Sequence, residues 1–309
     1  MPDWKGSIVD QCPLCSSSRL SSAGKRKDGA EVSKCDDCGV GFLNPMPNEH
    51  EIARMYTDYY NREDGIGYTK YPVRLAAAGL DYLLWNIVKP HVKSGSTLLD
   101  VGCAYGARVD FFRRRGLKSS GVDMSGEAVT YGRQNWNLDL RATKYEELDE
   151  SGVFDIITMI DFVEHLPAPN DWARKTKTLT HWGSLVLILT PDLDCYGDYG
   201  EKWIGYNTSF EHVLFYNRQA LGNVLRKHGF EIAMTTNVKS APPVATASQV
   251  ESSTADSIRE AAGSLSSFPI TTTLMQLRID LMAKLTWQRL AMNNPRQNSL
   301  LVVARRTSG

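Results

Sequence analysis

The sequence predicts an α/β protein built on a doubly wound, mostly parallel sheet, and three features carry that reading. Short apolar runs at Thr97–Val101, Ser120–Val122, Leu138–Ala142, Phe154–Ile160 and Ser184–Leu189 suit strands, the first and fourth apolar enough to be buried on both faces. Stretches of helical periodicity separate them, and that alternation is the mark of parallel strands joined by crossover helices. The first run closes on small residues, Gly102, Ala104 and Gly106, while the second ends in Asp123. An absence of bulk at the first strand's tip lets a ligand approach the backbone, and an acid at the second tip can accept ribose hydroxyls.

The composition sets bounds. A chain of 309 residues can hold one large domain and an appendage. Lys plus Arg and Asp plus Glu both number 35, so no net charge draws the protein toward nucleic acid. The opening MPDWKGSIVDQ lacks a basic stretch followed by an apolar core, and no apolar run reaches the roughly 18 residues of a spanning helix. A cytoplasmic protein is expected. Four of the six cysteines form two C-x-x-C pairs, Cys12/Cys15 and Cys35/Cys38. Paired knuckles about 20 residues apart predict a structural zinc ribbon over 1–45, because four thiolates close a tetrahedral site. Disulfides or a catalytic dithiol are the rival readings, and neither explains the duplication. The polar segment between the knuckles cannot make a core of its own, so the metal is the expected staple. Lys25, Arg26 and Lys27 offer a phosphate contact or a solvated loop.

Residues 46–95 read as a helical connector. Pro45 and Pro47 break the chain, Asn48 caps a helix running to Tyr60, and a second helix covers Tyr71 to Val92. From residue 96 onward, a helix starting near Gly106 turns Val109, Phe111 and Phe112 inward and Arg113–Arg115 outward. Ser125 caps a helix to Trp136, and the third strand leads to Tyr145. The fourth strand delivers Asp161 to the crevice, with His165 on the following turn expected to be structural. Tyr196, Tyr199, Trp203 and Tyr206 punctuate a long loop after the fifth strand. They suit either a pocket for a ring with an apolar face or a loop pinned by its own aromatics. Glu211-His212 follows, and histidine is the side chain best matched to general-base work near neutral pH. The strands Phe230–Val238 and Leu300–Ala304 flank an insertion at about 240–296. Its Thr271–Met292 helix is amphipathic, with protein packing, a dimer face or a membrane surface as its outlets.

The spacing of Asp100, Gly102, Ala104 and Gly106, followed by Asp123, differs from a dinucleotide fingerprint. It resembles the first motif of class I S-adenosylmethionine-dependent methyltransferases, with Ala104 where that family usually has Gly. Asp161-Phe-Val-Glu-His165-Leu resembles the family's fourth motif. The cysteine knuckles and Glu211-His212 resemble sugar C-methyltransferases and related small-molecule methyltransferases. The resemblance implies a seven-stranded, Rossmann-like sheet with an antiparallel last strand, covering 96–309, and a helix lying over the cofactor before the first strand. It implies S-adenosylmethionine held by Asp100, Gly102, Cys103, Ala104, Gly106, Asp123, Met124, Tyr145 and Ile160. The family's adenine-binding Asp is replaced by Lys144, which leaves that task to Tyr145 or backbone amides. It implies His212, Glu211 and Asp161 as catalytic groups, with Zn²⁺ on the four cysteines. Three functions stay open: methylation of a small molecule such as a sugar or sugar nucleotide at carbon or oxygen, methylation of RNA or protein gripped by the ribbon, and non-catalytic binding.

Overall fold

The computed structural model describes residues 5–60, 73–149, 151, 153–200, 203–207, 211–238 and 299–307. The 240–296 insertion, with its 271–292 helix, lies outside the described residues.

The chain opens with β1 (Leu20–Lys25), β2 (Glu31–Cys35) and β3 (Gly41–Leu43). Two helices follow, α1 (Glu49–Tyr60) and α2 (Val73–Val88). Asn48 starts α1 through a reciprocal pair: its Oδ1 accepts from the Glu51 amide at 3.0 Å, and Glu51 Oε2 accepts from the Asn48 amide at 2.8 Å. The expected second helix stops short, because Pro90 turns the chain into a 3₁₀ turn at Lys89–His91. The α/β body then runs β4 (Thr97–Val101), α3 (Ala107–Arg113), β5 (Lys118–Asp123), α4 (Gly126–Trp136), β6 (Asp139–Ala142) and β7 (Phe154–Ile160). It continues through α5 (Pro169–Leu179), β8 (Thr180–Pro191), α6 (Tyr196–Tyr199), α7 (Ile204–Asn207) and β9 (Leu214–Phe215). It closes with α8 (Arg218–Lys227), β10 (Phe230–Val238) and β11 (Ser299–Arg306).

Seven strands form the main sheet in the order β10-β11-β8-β7-β4-β5-β6, with β11 antiparallel to both neighbours and the rest parallel. Strand order reverses between β4 and β7, which opens a crevice beyond their carboxyl ends. Alternate residues feed two cores. Leu99, Val101, Ile157, Met159, Val186 and Ile188 face one side, and Leu98, Ile156, Leu185 and Leu187 face α2 and α3 on the other. Burial on both faces explains why these strands are apolar throughout. No helix among the described residues is long and apolar enough to cross a membrane.

The N-terminal module departs from the expected boundary at 45. Its sheet has the order β1-β2-β3-β9, so the fourth strand comes from residues 214–215. Leu14, Val32, Val40 and Phe42 join the same buried cluster as Trp172, Phe215 and Val302. The short, polar hairpin gains its core from the α/β body.

Candidate active site

At the end of β4 the chain enters left-handed conformations at Gly102 (φ 70°), Ala104 (φ 47°) and Gly106 (φ 80°). Gly106 is required twice over: its φ disfavours a side chain, and a Cβ there would lie 2.8 Å from Leu138 and 2.9 Å from Leu140. Ala104 holds the same kind of conformation without being Gly. The bond that offsets its strain is visible, since Asp123 Oδ2 accepts from the Ala104 amide at 2.8 Å. Asp123 Oδ1 accepts from the Ser125 amide at 2.8 Å. Ser125 in turn caps α4 by accepting from Ala128 at 3.2 Å. One carboxylate therefore ties together the glycine turn, the tip of β5 and the start of α4.

Asp100 lies beneath the turn. Its Oδ1 accepts from Arg108 at 3.0 Å and from Thr158 at 2.7 Å, while Arg108 also donates to Asp81 of α2 at 2.9 Å. Burial pushes the Asp81 carboxyl up to about 6 against the pull of Arg108. Asp100 Oδ2 is buried with no hydrogen-bond partner among the described residues. A free acceptor below a turn stripped of side chains fits the ammonium and backbone-like portion of S-adenosylmethionine. Arg108 and Asp81 had no role in the sequence reading, because their pairing depends on how α2 crosses α3.

The remaining residues expected at the cofactor divide. Met124 follows Asp123 and is 54% exposed, so it is available to a ligand. Cys103 packs inward, where a Cβ on Gly121 would meet its Sγ at 2.7 Å. Ile160 belongs to the core beside Leu98 and Leu84. Tyr145 is buried, and its hydroxyl bonds to Thr176 of α5 at 2.8 Å. That hydroxyl is committed to the core.

On the neighbouring strand, Asp161 follows β7 with φ 50°. It reaches solvent, yet the protein crowded around its carboxyl raises it to about 6 by dehydration. The ring of Phe162 packs under Gly102, where a Cβ would approach it to 3.0 Å, so this segment adjoins the cofactor turn. Val163–His165 then forms a 3₁₀ turn that buries Glu164 and His165. His212 comes to meet them: its Nε2 lies 3.8 Å from Glu164 Oε1, and its ring stands edge-on to His165 at 4.8 Å between centroids. The carboxylate against the imidazole is thus Glu164, where the sequence pointed to Glu211. Glu211 is buried next in the chain, and its charge also bears on Glu164.

These environments bear on the general-base role expected of His212. Burial, His165 and Arg26 hold its imidazole well below the ordinary histidine range. His165 is lowered to about 4 by burial. Burial and the nearby Asp161 push Glu164 well above the usual carboxylate range.

The family profile described as a methyltransferase domain matches residues 69–234. This chain belongs to the methyltransferase-domain family. Ubiquinone biosynthesis O-methyltransferases from Acinetobacter baumannii (strain AYE) and Acinetobacter baylyi are 30% and 31% identical to it over 105 residues, 31% of this chain and 44% of theirs. The chain thus spans less than half the length of these curated relatives. The crystal structure of the cyclase SpnF superposes with a TM-score of 0.53 at 16% identity, covering 85% of this chain and 98% of that one. The Burkholderia thailandensis 1,6-didemethyltoxoflavin-N1-methyltransferase gives 0.52 at 14% identity, covering 90% and 96%. At such identities the likeness concerns the fold.

On this methyltransferase domain the N-terminal module braces the segment that leads into β9. Arg26, read from sequence as a solvated or phosphate-facing residue, is 2% exposed. It pairs with Asp28 and donates to the His212 carbonyl at 2.8 Å. The Tyr206 hydroxyl donates to the Ala23 carbonyl at 3.2 Å, and the Leu43 amide to the Val213 carbonyl at 3.0 Å. Trp203 and Tyr206 are 2% and 0% exposed, so they pin the loop and do not line an open pocket. The Sγ atoms of Cys12, Cys15, Cys35 and Cys38 all lie within 4.8 Å of one another. The Cys12–Cys38 and Cys15–Cys35 separations are 3.5 and 3.6 Å. Thiolates about 2.3 Å from one tetrahedral ion stand about 3.8 Å apart, whereas a disulfide requires about 2.05 Å.

Proposed function

We propose that the protein transfers a methyl group from S-adenosylmethionine to an oxygen-bearing small molecule, with a structural zinc ion on Cys12, Cys15, Cys35 and Cys38. The observation that carries this reading is the Asp123 carboxylate closing the left-handed turn through Ala104, one strand away from Asp161. Bound S-adenosylmethionine supplies a methyl carbon already activated by its sulfonium. In this chain Asp123 would receive the ribose hydroxyls, the backbone from Gly102 to Gly106 would meet the methionine portion, and Asp100 Oδ2 would accept from its ammonium. Asp161, open to solvent at the crevice, would take the proton that the acceptor loses. The acceptor atom then bonds to the methyl carbon while the carbon–sulfur bond breaks and its electron pair returns to sulfur. In-line placement of the two reactants supplies much of the acceleration.

The acceptor class is a sugar or sugar-derived metabolite whose hydroxyl, or carbon next to a keto group, is methylated. The names of the relatives favour small molecules over macromolecules. So does the burial of Arg26 and the pairing of Lys25 with Glu31, which dismantle the basic stripe that RNA would need. A labelled-methyl screen over nucleotide sugars, simple phenols and RNA tests the assignment, with incorporation expected in the first two classes. Calorimetry showing no uptake of S-adenosylmethionine or its demethylated product at millimolar concentration would overturn it. Elemental analysis is expected to find zinc bound to the ribbon; a folded, metal-free protein would remove the ion from this account.

A further inference from the structure

Glu164, His165 and His212 each offer one ligand atom, and the three atoms lie within 4.8 Å of one another. Two distant segments bring them together: the turn after β7 and the approach to β9, joined by the Val213 amide donating to the Glu164 carbonyl at 2.9 Å. All three are buried, at 1%, 8% and 5% exposure. Neither oxygen of Glu164 has a partner of good hydrogen-bond geometry among the described residues, although the Thr190 hydroxyl and the Glu164 amide stand near enough to draw its carboxyl down. Its separation from His212 Nε2, 3.8 Å, is too long for a hydrogen bond. Donors about 2.1 Å from a shared ion stand between about 3 and 4.2 Å apart, and the Glu164–His212 separation falls inside that range. A carboxylate without good hydrogen bonds is costly to hold in a protein interior unless a cation completes it.

We propose that Glu164, His165 and His212 bind a divalent first-row cation, and that this ion takes the oxygen of the methyl acceptor. Two imidazoles and one carboxylate are a donor set for manganese, iron, cobalt or zinc. Three protein ligands leave coordination positions open, in contrast to the closed set of four thiolates in the ribbon. The open side belongs to the crevice: Asp161 stands three residues before Glu164 and reaches solvent, and Phe162 between them abuts the cofactor turn. Asp161 and Glu211 add negative charge near Glu164, and the opposing charge of Arg26 beside His212 is paired with Asp28. An ion placed here would polarise an acceptor hydroxyl or keto group and let its proton leave to Asp161 near neutral pH. The role of the ion in catalysis rests on the methyltransferase reading. The ion site rests only on the geometry of the three side chains.

The test uses Mn²⁺, a poor partner for thiolates and hence a probe that passes over the ribbon. Loss of the free-ion electron paramagnetic resonance signal on titration into the full-length protein measures binding. One Mn²⁺ per chain is expected, with affinity at least tenfold weaker in Glu164→Gln and in His165→Asn, and unchanged in Arg218→Gln on the surface. Far-UV circular dichroism establishes that each variant is folded. If the folded wild type takes up no Mn²⁺ at millimolar concentration, the proposal fails whatever the variants do. Binding that survives both substitutions also defeats it. S-adenosylmethionine affinity is measured in parallel. Cofactor uptake without Mn²⁺ uptake removes the ion site alone, while Mn²⁺ uptake without cofactor uptake leaves the ion site standing and removes the methyltransferase reading.

Discussion

Asp123→Asn isolates the group on which the cofactor site turns. Both carboxylate oxygens accept backbone amides, Ala104 and Ser125, each at 2.8 Å. An asparagine keeps the size but offers one acceptor, so one of the two amides must face an NH₂ group. A hydrogen bond to a charged acceptor contributes about 1.5 to 3 kcal/mol, and losing one of the pair should lower stability by about 2 kcal/mol. For a domain of this size that corresponds to a melting point roughly 4 to 8 °C lower, with the protein still folded. The amide that loses its partner decides the second effect. If it is Ala104, the left-handed turn loses the bond that holds it, and S-adenosylmethionine loses both a preformed cradle and one ribose acceptor. Calorimetry should then show affinity reduced at least tenfold, with more loss in Asp123→Ala. Urea denaturation monitored by tryptophan fluorescence gives the stability term independently. A variant with unchanged stability and unchanged cofactor affinity would refute the claim that this carboxylate builds the turn and grips the pentose.

Three further changes probe the surrounding framework. Arg26→Gln withdraws a buried guanidinium from Asp28 and the His212 carbonyl; about 2 to 4 kcal/mol of stability should go, and turnover should fall while S-adenosylmethionine affinity holds. Equal losses of turnover and cofactor affinity would show that the ribbon supports the fold without positioning the acceptor side. Gly106→Ala forces a Cβ to within 2.8 Å of Leu138 at φ 80° and should cost about 2 to 4 kcal/mol, read from the urea midpoint. Asp81 binds its proton more tightly when folded (about 6) than its ordinary value of 3.8. Its contribution therefore weakens stability as pH rises through that window and levels off above it. Relative to wild type, Asp81→Asn should gain up to about 3 kcal/mol between pH 4 and pH 7, and a pH-independent difference would count against the buried, raised carboxyl.

What could be read from the sequence is what short-range rules govern. Asn48 and Ser125 each cap a helix as their positions suggest, because a cap needs only an amide three residues away. Asp123 and the small residues of the turn were legible because a strand, a tight turn and the next parallel strand keep a near-constant spacing. The cysteine knuckles were legible for the same reason. Glu164 stood in view beside His165 but had no role assigned, although its Glu-His pair repeats the pair at 211–212. Nothing local says that the two pairs meet.

Arg26 reads as one of three consecutive basic residues, and Trp203 and Tyr206 read either as pocket aromatics or as pins for their own loop. Their burial depends on β9 joining the N-terminal sheet, a pairing of Gly41 and Phe42 with Phe215 and Leu214, far apart in the sequence. By itself the sequence determined the α/β class, the cofactor turn with its acid, and the four-cysteine cluster, because turn chemistry, strand periodicity and motif spacing act over a few residues. Only the tertiary structure decided that the ribbon shares the body's core, that Glu164 stands 3.8 Å from His212, and that this histidine is buried. Those outcomes follow from contacts between distant segments and from the loss of water around them, which no local pattern encodes.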